Sequence, residues 1–461
     1  MRFPLPAALA LVLAAGSAPG SSDTLHLDAD RAVELALANN KVIQQAKERV
    51  VEARAGRGAA FGSFLPQVSA TGTYTRLGNV SEFAMASPVM GKFPIPVRDL
   101  QGNLIGLTDS IPMISGYRFD TLQLGSADNF ALTGTVQQTI FTWGKLVNAY
   151  RIAGLSLDLQ QEAFEQARAQ VRVDATQAFY QALLARKTAG VMADAYQQLK
   201  GHVGQVQALY DNGLATKLDL MKATLGLQQM EAQVSQIQSG AELALAVLLN
   251  TLGMPAGTAA ALDEDLTSVT STVELEPAID SALVRRPELA QLRDAAKMAE
   301  LAERIARTAN LPTVFVQANG SYRNPVGFSA EWGADWNATA GVSMPIFTGL
   351  TNHHKLRAAQ SRQRQARIAL AMVEDGLRLE VQATVSALNQ EARNAAYQQK
   401  NVEVAEAALA LAEQRFQNGL LTNLDYMDSQ LALTQSRVAH LNALANYQIA
   451  KAKLQKAVGE F

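Results

Sequence analysis

The sequence contains no cysteine in its 461 residues. This absence excludes a disulfide framework and thiolate chemistry, and it removes the residue to which an N-terminal lipid would be attached. Any attachment of this chain to a membrane is therefore expected to come from the fold itself.

An excess of positive charge is also missing. The chain has 40 Lys and Arg residues against 42 Asp and Glu, which gives a formal net charge of -2. Binding to a phosphate backbone requires a basic surface, so nucleic acid is not an expected partner.

Recognisable catalytic and metal-binding patterns are missing too. The sequence has no Gly-Lys phosphate loop and no Gly-x-Ser-x-Gly elbow. None of the five histidines stands at metal-ligand spacing from a second one, and we expect them at the surface; they are His26, His202, His353, His354 and His440. We therefore expect no enzymatic activity, no cofactor and no bound metal.

Long apolar runs are confined to the N-terminus. Arg2 precedes an apolar stretch over Ala7–Ala15, followed by small residues up to Ala18. This layout predicts a signal peptide over residues 1–18, with a short membrane anchor as the alternative. Later in the chain the best candidate for a helical span, Ala241–Leu249, is short and contains Glu242, so a transmembrane helix is not expected. The mature chain is expected to leave the cytoplasm.

Two segments of the sequence are nearly the same, Asn212–Met221 and Asn418–Met427. Ile140-Phe141-Thr142 recurs as Ile346-Phe347-Thr348 at the same offset. These matches indicate a tandem duplication of a long unit. We assign the first repeat to residues 19–255, a connector to 256–276 and the second repeat to 277–461.

The distribution of proline predicts long helices. Proline is absent between Pro112 and Pro255 and again after Pro345, and helix-forming residues dominate both stretches. We predict helical hairpins at about 144–252 and 350–458. Each turns at a glycine, and the first long helix would be on the order of 100 Å long at 1.5 Å per residue. Shorter helices, predicted at Ala29–Gly62 and Pro277–Asn310, open the repeats.

Alternation of polar and apolar residues predicts four strands, at about 67–77, 129–141, 313–323 and 335–347. The intervening segment 78–128 contains several prolines and glycines, and we predict a long surface loop there, with an external lid or a target for phage and antibodies as the alternative.

The strands favour a membrane β-barrel over a half-buried sheet of a soluble domain. They are about ten residues long, which spans a bilayer when the strand is tilted, and aromatic residues expected at the membrane interface lie near their ends: Tyr74, Tyr322, Trp332 and Trp336. Because the smallest such barrels have about eight strands, four cannot close a barrel alone. The barrel is therefore expected to be shared between subunits.

The paired Asn-Gly-Leu turns, each followed by Leu-Asp-x-Met and in register with the duplicated strands, resemble those of the TolC-type outer membrane efflux proteins over essentially the whole mature chain. The resemblance implies a mixed α/β membrane protein that forms a homotrimer. Each subunit would give four strands to a 12-stranded barrel in outer-membrane lipid, and the hairpins would form a coiled-coil α-barrel that extends into the periplasm.

The resemblance also implies a function, that of a passive exit duct in a tripartite efflux or type I secretion system. The duct would dock with a periplasmic membrane-fusion adaptor and an inner-membrane transporter of the RND or ABC type. The adaptor is expected at the hairpin turns, at Gly213-Leu214 and Gly419-Leu420.

Asp425 and Asp428 match two aspartates that form acidic rings at the narrow periplasmic entrance of well-studied members. Their i, i+3 spacing places them on one face of a helix, and an acidic patch at a helix N-terminus is the alternative. Asp219 corresponds to Asp425 in the first repeat, whereas Lys222 replaces the counterpart of Asp428.

The known closing contacts of the family are not matched, because Phe416 and Leu421 occupy the places of a tyrosine and an arginine. We therefore expect closure through helix packing and bonds of Asp219, Asn423 or Asp425. Two other functions remain open, a periplasmic coiled-coil scaffold or adaptor and a porin-like nutrient channel, although a porin should lack the long hairpins.

Overall fold

The computed structural model describes residues 25–255, 257–267, 273–327 and 331–461. The predicted signal peptide, 1–18, and residues 256 and 268–272 of the predicted connector lie outside this part of the chain. Two compact units are present. The first comprises residues up to Ala55, Gly154–Ala299 and Ser361–Phe461, and the second comprises Gly56–Ala153 and Glu300–Gln360.

Helices and strands alternate in a repeated order. The helices are α1 (Ala29–Asn39), α2 (Lys41–Gly62), α3 (Lys145–Asp211), α4 (Lys217–Thr251), α5 (Leu275–Arg285), α6 (Pro287–Arg307), α7 (Thr351–Gln417) and α8 (Asn423–Val458). The strands are β1 (Leu25–Leu27), β2 (Gln67–Arg76), β3 (Ser81–Arg98), β4 (Leu104–Leu124), β5 (Asp128–Phe141), β6 (Ala260–Leu262), β7 (Thr313–Asn324) and β8 (Gly333–Ser343). The duplicated helix-strand-strand-helix-helix order expected from the sequence is confirmed.

The long helices α3 and α7 each have 67 residues. In contrast, both opening helices are broken where the sequence predicted one continuous helix. Asn40 has an extended backbone between α1 and α2, with its side chain bonded to Thr251 O at 2.9 Å. Arg286 is extended between α5 and α6 because the residue before Pro287 disfavours the helical conformation.

The core of the first unit lies where short elements pack on the hairpins. Phe179 and Leu183 of α3 and Leu248 of α4 are fully buried with Ala32 and Ala36 of α1. A second cluster joins α5 to α7 and α8; its buried members include Ala278, Ala282, Val381, Val385 and Ala457. A parallel pairing of β1 with β6 adjoins the first cluster. Each repeat thus packs its first helix against the middle of its long helix and the C-terminal end of its return helix.

The second unit contains a four-stranded antiparallel sheet in the order β2-β5-β7-β8. Its register aligns apolar residues across the strands, as in the row Val68, Val136, Ala318 and Ala338. The next row is polar, with Ser69, Thr135, Asn319 and Asn337. Because neighbouring rows face opposite sides, one face of the sheet is apolar and the other polar.

The apolar face of this sheet is open in the single chain. Val68 is 76% exposed, Val342 68% and Trp336 78%. Strands β2 and β8 stand at the two ends of the order, and each has one unpaired edge within the described residues. Exposed apolar area together with free edges is unfavourable for an isolated chain in water.

The prediction of a loop over 78–128 is wrong. Strands β3 and β4 form a long antiparallel pair in this segment. A two-stranded ribbon leaves one edge of each strand unpaired, so the prolines that argued against a strand are tolerated there. Its turn is fixed by Asp99, whose carboxylate accepts hydrogen bonds from the backbone N–H groups of Gln101 and Asn103.

No helix among the described residues combines the length and the apolar character needed to cross a membrane.

Candidate functional site at the hairpin turns

The two hairpin turns have the same backbone geometry. Gly213 and Gly419 have φ angles of 72° and 69°. Leu214 N bonds Leu209 O at 2.8 Å, and Leu420 N bonds Arg415 O at 2.9 Å. These are Schellman closures, in which a left-handed residue satisfies the last carbonyls of the helix. Among the described residues, leaving aside the two chain neighbours of each glycine, no heavy atom lies within 4 Å of a Cβ built on Gly213 or Gly419. Glycine is therefore required for its backbone conformation and not for space.

Each return helix begins with a threonine cap. Thr216 Oγ1 accepts a hydrogen bond from Asp219 N at 3.1 Å, and Asp219 Oδ2 accepts one from Thr216 N at 3.1 Å, which completes a capping box. In the second repeat Thr422 Oγ1 accepts from Asp425 N at 3.2 Å and donates to Asp425 Oδ2 at 2.6 Å. The hydroxyl and the backbone N–H of Thr216 hold the pKa of the Asp219 carboxyl below its ordinary value.

The other predicted gate and docking residues lie around these caps. Asp425 and Asp428 are both exposed, and Leu214 and Leu420 are 76% and 75% exposed at the turns. Asp219, Asp425 and Asp428 do not bond one another in the described chain; Asp219 and Asp425 are instead the hydrogen-bond partners of the capping threonines of two different helices. Their role as a ring remains a prediction.

A buried polar seam, which the sequence pattern does not indicate, lies between α3 and α8. His202 is only 2% exposed, which contradicts the expectation that the histidines lie at the surface. His202 Nε2 lies 2.6 Å from Asn423 Oδ1. One turn of helix away, Gln430 Nε2 donates to Gln198 Oε1 at 2.5 Å. Spacing could not reveal these pairs because their members are more than 200 positions apart in the sequence.

Asn423 extends the seam to a third helix, since its Nδ2 donates to Asp219 O at 3.1 Å. Asp219 and Asn423 are two of the residues predicted to hold the entrance closed, and this hydrogen bond joins them. Two aromatic rings enclose His202: Tyr426 is stacked at 4.0 Å between ring centroids, and Phe416 lies at 4.8 Å. All four hairpin helices therefore meet at this point.

A groove of about 510 Å³, lined by both apolar and polar residues, opens between the two turns. Its lining includes Val206, Leu209, Leu214, Phe416, Leu421 and Asn423. Phe416 and Leu421, which replace the polar pair of the resembled family, therefore line this groove.

The predicted interface aromatics lie in the second unit, and three of them form a cluster at one end of its sheet. Phe130 joins them, at 4.9 Å from Tyr74 and 6.0 Å from Trp332, and Tyr322 stacks on Trp332 at 5.0 Å. Trp336 stands apart, opposite Gly320 in the sheet register.

A second aromatic cluster, which the sequence did not indicate, lies at the other end of the sheet. Phe141 and Trp143 contact each other at 5.1 Å, and Trp143 Nε1 donates to Pro312 O at 2.8 Å. Two aromatic clusters at opposite ends of an apolar face are the arrangement that membrane-spanning sheets present to lipid.

The polar face of the same sheet is joined by side-chain hydrogen bonds. Thr135 Oγ1 bonds Asn319 Oδ1 at 2.9 Å, and Asn319 Nδ2 donates to Asn337 Oδ1 at 3.0 Å. Within the described ranges there is no group of three or more His, Cys, Asp and Glu side chains that could hold a metal ion.

A family model described as outer membrane efflux protein matches residues 32–254 and 278–460. The sequence is 23% identical over 443 residues to the outer membrane protein OprJ of Pseudomonas aeruginosa, covering 93% of this chain and 83% of the relative. It is 22% identical over 342 residues to the outer membrane efflux protein BepC of Brucella suis, and this match covers 72% of this chain and 74% of the relative.

The fold is similar to the crystal structure of the outer membrane protein VceC of Vibrio cholerae. The TM-score is 0.72 at 20% identity, and the match covers 94% of this chain and 96% of that one.

Proposed function

The chain belongs to the outer membrane efflux protein family, and we propose that it is the passive exit duct of a tripartite efflux or type I secretion assembly. The observation that carries this proposal is the four-stranded sheet, with one apolar face, one polar face and two unpaired edges. Such a sheet is stable in a bilayer only when its edges are paired and its apolar face meets lipid.

We propose that three copies close this sheet into a 12-stranded barrel. The strand order supports the idea because β2 and β8 run in opposite directions, so β8 of one copy can pair antiparallel with β2 of the next. The polar rows around Asn319 and Asn337 would then face a water-filled lumen, while the rows around Val68 and Val136 would face lipid. The energy for transport would come from a partner, and this chain would have no catalytic role.

Planar bilayers test this function directly. We expect the purified protein to need detergent, to have the mass of a trimer and to carry discrete single-channel currents. A monomer that stays dissolved without detergent and carries no current would contradict the duct and would favour a periplasmic scaffold or adaptor.

At the periplasmic entrance we infer an acidic ring of Asp425 and Asp428. Both are exposed near the start of α8, and six carboxylates from three copies would attract multivalent cations to the lumen. Replacing both aspartates with Asn should weaken the block of the current by a trivalent cation. Asp194→Asn, which removes an exposed carboxylate of α3 away from the turns, is the control and should leave the block nearly intact. An unchanged block in the double variant would remove the ring assignment.

The adaptor would dock in the groove between Leu214 and Leu420, and an inner-membrane transporter of the RND or ABC type would complete the assembly. Leu214 lines this groove, and Leu420 lies between Gly419 and Leu421, which also line it. Both leucines are exposed, so a partner helix can pack its apolar side chains against them. Because the chain has no cysteine, a photocrosslinker on Leu214→Cys or Leu420→Cys would label one defined position. We expect capture of a periplasmic adaptor there, and a crosslinker on Lys217→Cys, which also lies near the turn, should capture less. Equal capture from all three positions would contradict docking in the groove.

A further inference from the structure

His202 occupies an enclosed place at the ends of the hairpins. It lies on α3, is 2% exposed, and its ring is covered by Tyr426 of α8 and Phe416 of α7. Its Nε2 reaches Asn423, which is itself 5% exposed and bonds the Asp219 carbonyl at the start of α4. This one imidazole therefore connects the first hairpin to the second.

The hydrogen bonds define the protonation state that suits this place. Because Asn423 Nδ2 donates to Asp219 O, its Oδ1 faces His202 and accepts from Nε2–H. The other nitrogen, Nδ1, is buried and has no hydrogen-bond partner among the described residues. The arrangement therefore suits the neutral imidazole, in which Nδ1 carries no proton.

A second proton would be unfavourable here. It would create a buried charge and an N–H group without an acceptor, and attraction to the Tyr426 ring face only partly offsets that cost. In agreement, burial lowers the pKa of His202, and the hydrogen bond to Asn423 opposes this effect only in part.

The charged groups on the neighbouring helices do not compensate for that charge. Among the described residues, no carboxylate forms an ion pair with His202. On α4 the Asp219 carboxylate is bonded to Thr216, and Lys222 is exposed. On α8 Asp425 and Asp428 are exposed, while Tyr426 is neutral, its pKa raised by burial and by Glu413 of α7. Arg415 of α7 and Lys200 of α3 are exposed cations that oppose a further positive charge.

We propose that His202 is a proton-operated latch of the duct: as a neutral ring it holds α3 to α8 through Asn423, and on protonation it releases the hairpin ends and opens the periplasmic entrance. This latch rests on the proposed duct function and adds a response to acid.

The direction of the response follows from proton linkage. The closed arrangement binds fewer protons than an open one in which His202 contacts water and has its usual pKa. The closed state is therefore favoured above that usual pKa, and it is destabilised as the pH falls below it toward the lowered pKa of the buried ring. In this window the open-to-closed ratio rises by up to about tenfold per pH unit in each copy.

Spin labels at the turns test the latch without any need for conduction. With Leu214→Cys and Leu420→Cys as the only thiols, pulsed electron resonance of the trimer in detergent reports the distance between the two turns. From about pH 7.5 to about pH 5, on either side of the usual histidine pKa, we expect the distance to lengthen. In His202→Gln, which keeps a donor toward Asn423 but does not titrate, it should stay constant.

Two further variants keep the test decisive. His440→Gln is the matched control, because His440 also has a buried, unpartnered Nδ1; it should respond to acid like the parent protein. Asn423→Asp gives a protonated His202 a counter-ion, so acid should then close the turns instead of opening them. The latch is contradicted if the distance between the turns lengthens in acid in the His202→Gln variant as it does in the parent protein. It is also contradicted if that distance lengthens in acid in the Asn423→Asp variant.

Single-channel recording on the same variants separates this proposal from the duct. Open probability that rises at low pH in the parent, and not in His202→Gln, supports both. If no current appears at any pH, the duct is contradicted. If the spin-label distance still lengthens in acid in the parent and not in His202→Gln, His202 is the residue whose protonation separates the two turns, even without a duct.

Discussion

The two hairpin turns share a backbone but differ in what they contact. Both have a left-handed glycine, a threonine cap and an aspartate three residues later. The second turn adds Asn423 and Tyr426, both buried, whereas the first turn has Lys217 and Leu220 at the matched positions. In the long helices, buried His202 of α3 corresponds to exposed Ala408 of α7.

This difference shows what duplication kept and what it changed. The turn itself depends on local hydrogen bonds, so both copies retain it. The contacts between the hairpins depend on which helices face each other, and these contacts have diverged. A polar seam joins α3 to α8, whereas the matched residues of α7 and α4, Ala408 and Lys217, are exposed. The two turns are therefore each other's controls.

The largest difference between the turns should come from Asn423→Leu. It leaves His202 Nε2 and the Asp219 carbonyl without their partner, at a cost of about 3 kcal/mol. Lys217→Leu, at the matched exposed position, should change stability by less than about 0.5 kcal/mol. Native-state hydrogen exchange of the first turns of α8 and α4 measures both effects. Equal effects would show that the seam does not hold the hairpins together.

Substitution of the turn glycines should give two equal effects. Gly213→Ala and Gly419→Ala each force a side chain into the left-handed region, at about 1–2 kcal/mol, with open space around both. Gly240→Ala, inside α4 and also in open space, is the control and should stabilise its helix slightly. Hydrogen exchange of the last backbone amides of α3 and α7 measures the loss of stability at each turn. A much larger cost at one turn would mean that packing, and not φ, determines that glycine.

The smallest effects should come from the caps. Thr216→Ala and Thr422→Ala should each cost about 1 kcal/mol, with the first somewhat larger because only Thr216 has both bonds of a capping box. The Thr216 cap should also depend on pH. Because the pKa of Asp219 is lowered, its contribution is complete above the ordinary aspartate pKa and is lost as the pH falls through the lowered value. Amide exchange at the start of α4, followed from neutral to acid pH, measures this loss; no change with pH would contradict the cap.

The sequence predicted those features that depend on local patterns. Strict alternation located β2, β5, β7 and β8, and the repeated glycines located both turns. Contacts between residues far apart in the sequence could not be predicted, because no local pattern around His202 indicates that its side chain contacts Asn423.

The error over residues 78–128 has a physical cause as well. Proline disfavours a central strand because it cannot donate a backbone hydrogen bond, but it is tolerated in a two-stranded ribbon, where each strand has one free edge. Phe83, Met85 and Val89 stand at same-face positions of β3, so the alternation typical of a strand is present in this segment as well. Similarly, one opening helix was predicted across Pro287, whereas α5 ends at Arg285, two residues before this proline, and α6 begins at it.

Amide hydrogen exchange in the detergent-solubilised protein tests most directly whether several copies of this chain each contribute four strands to one closed sheet. The account predicts that β2 and β8 exchange as slowly as β5 and β7, because their outer edges pair with neighbouring copies, and that the particle has the mass of three chains. Fast exchange of alternate amides along β2 and β8, in a particle with the mass of one chain, would contradict it.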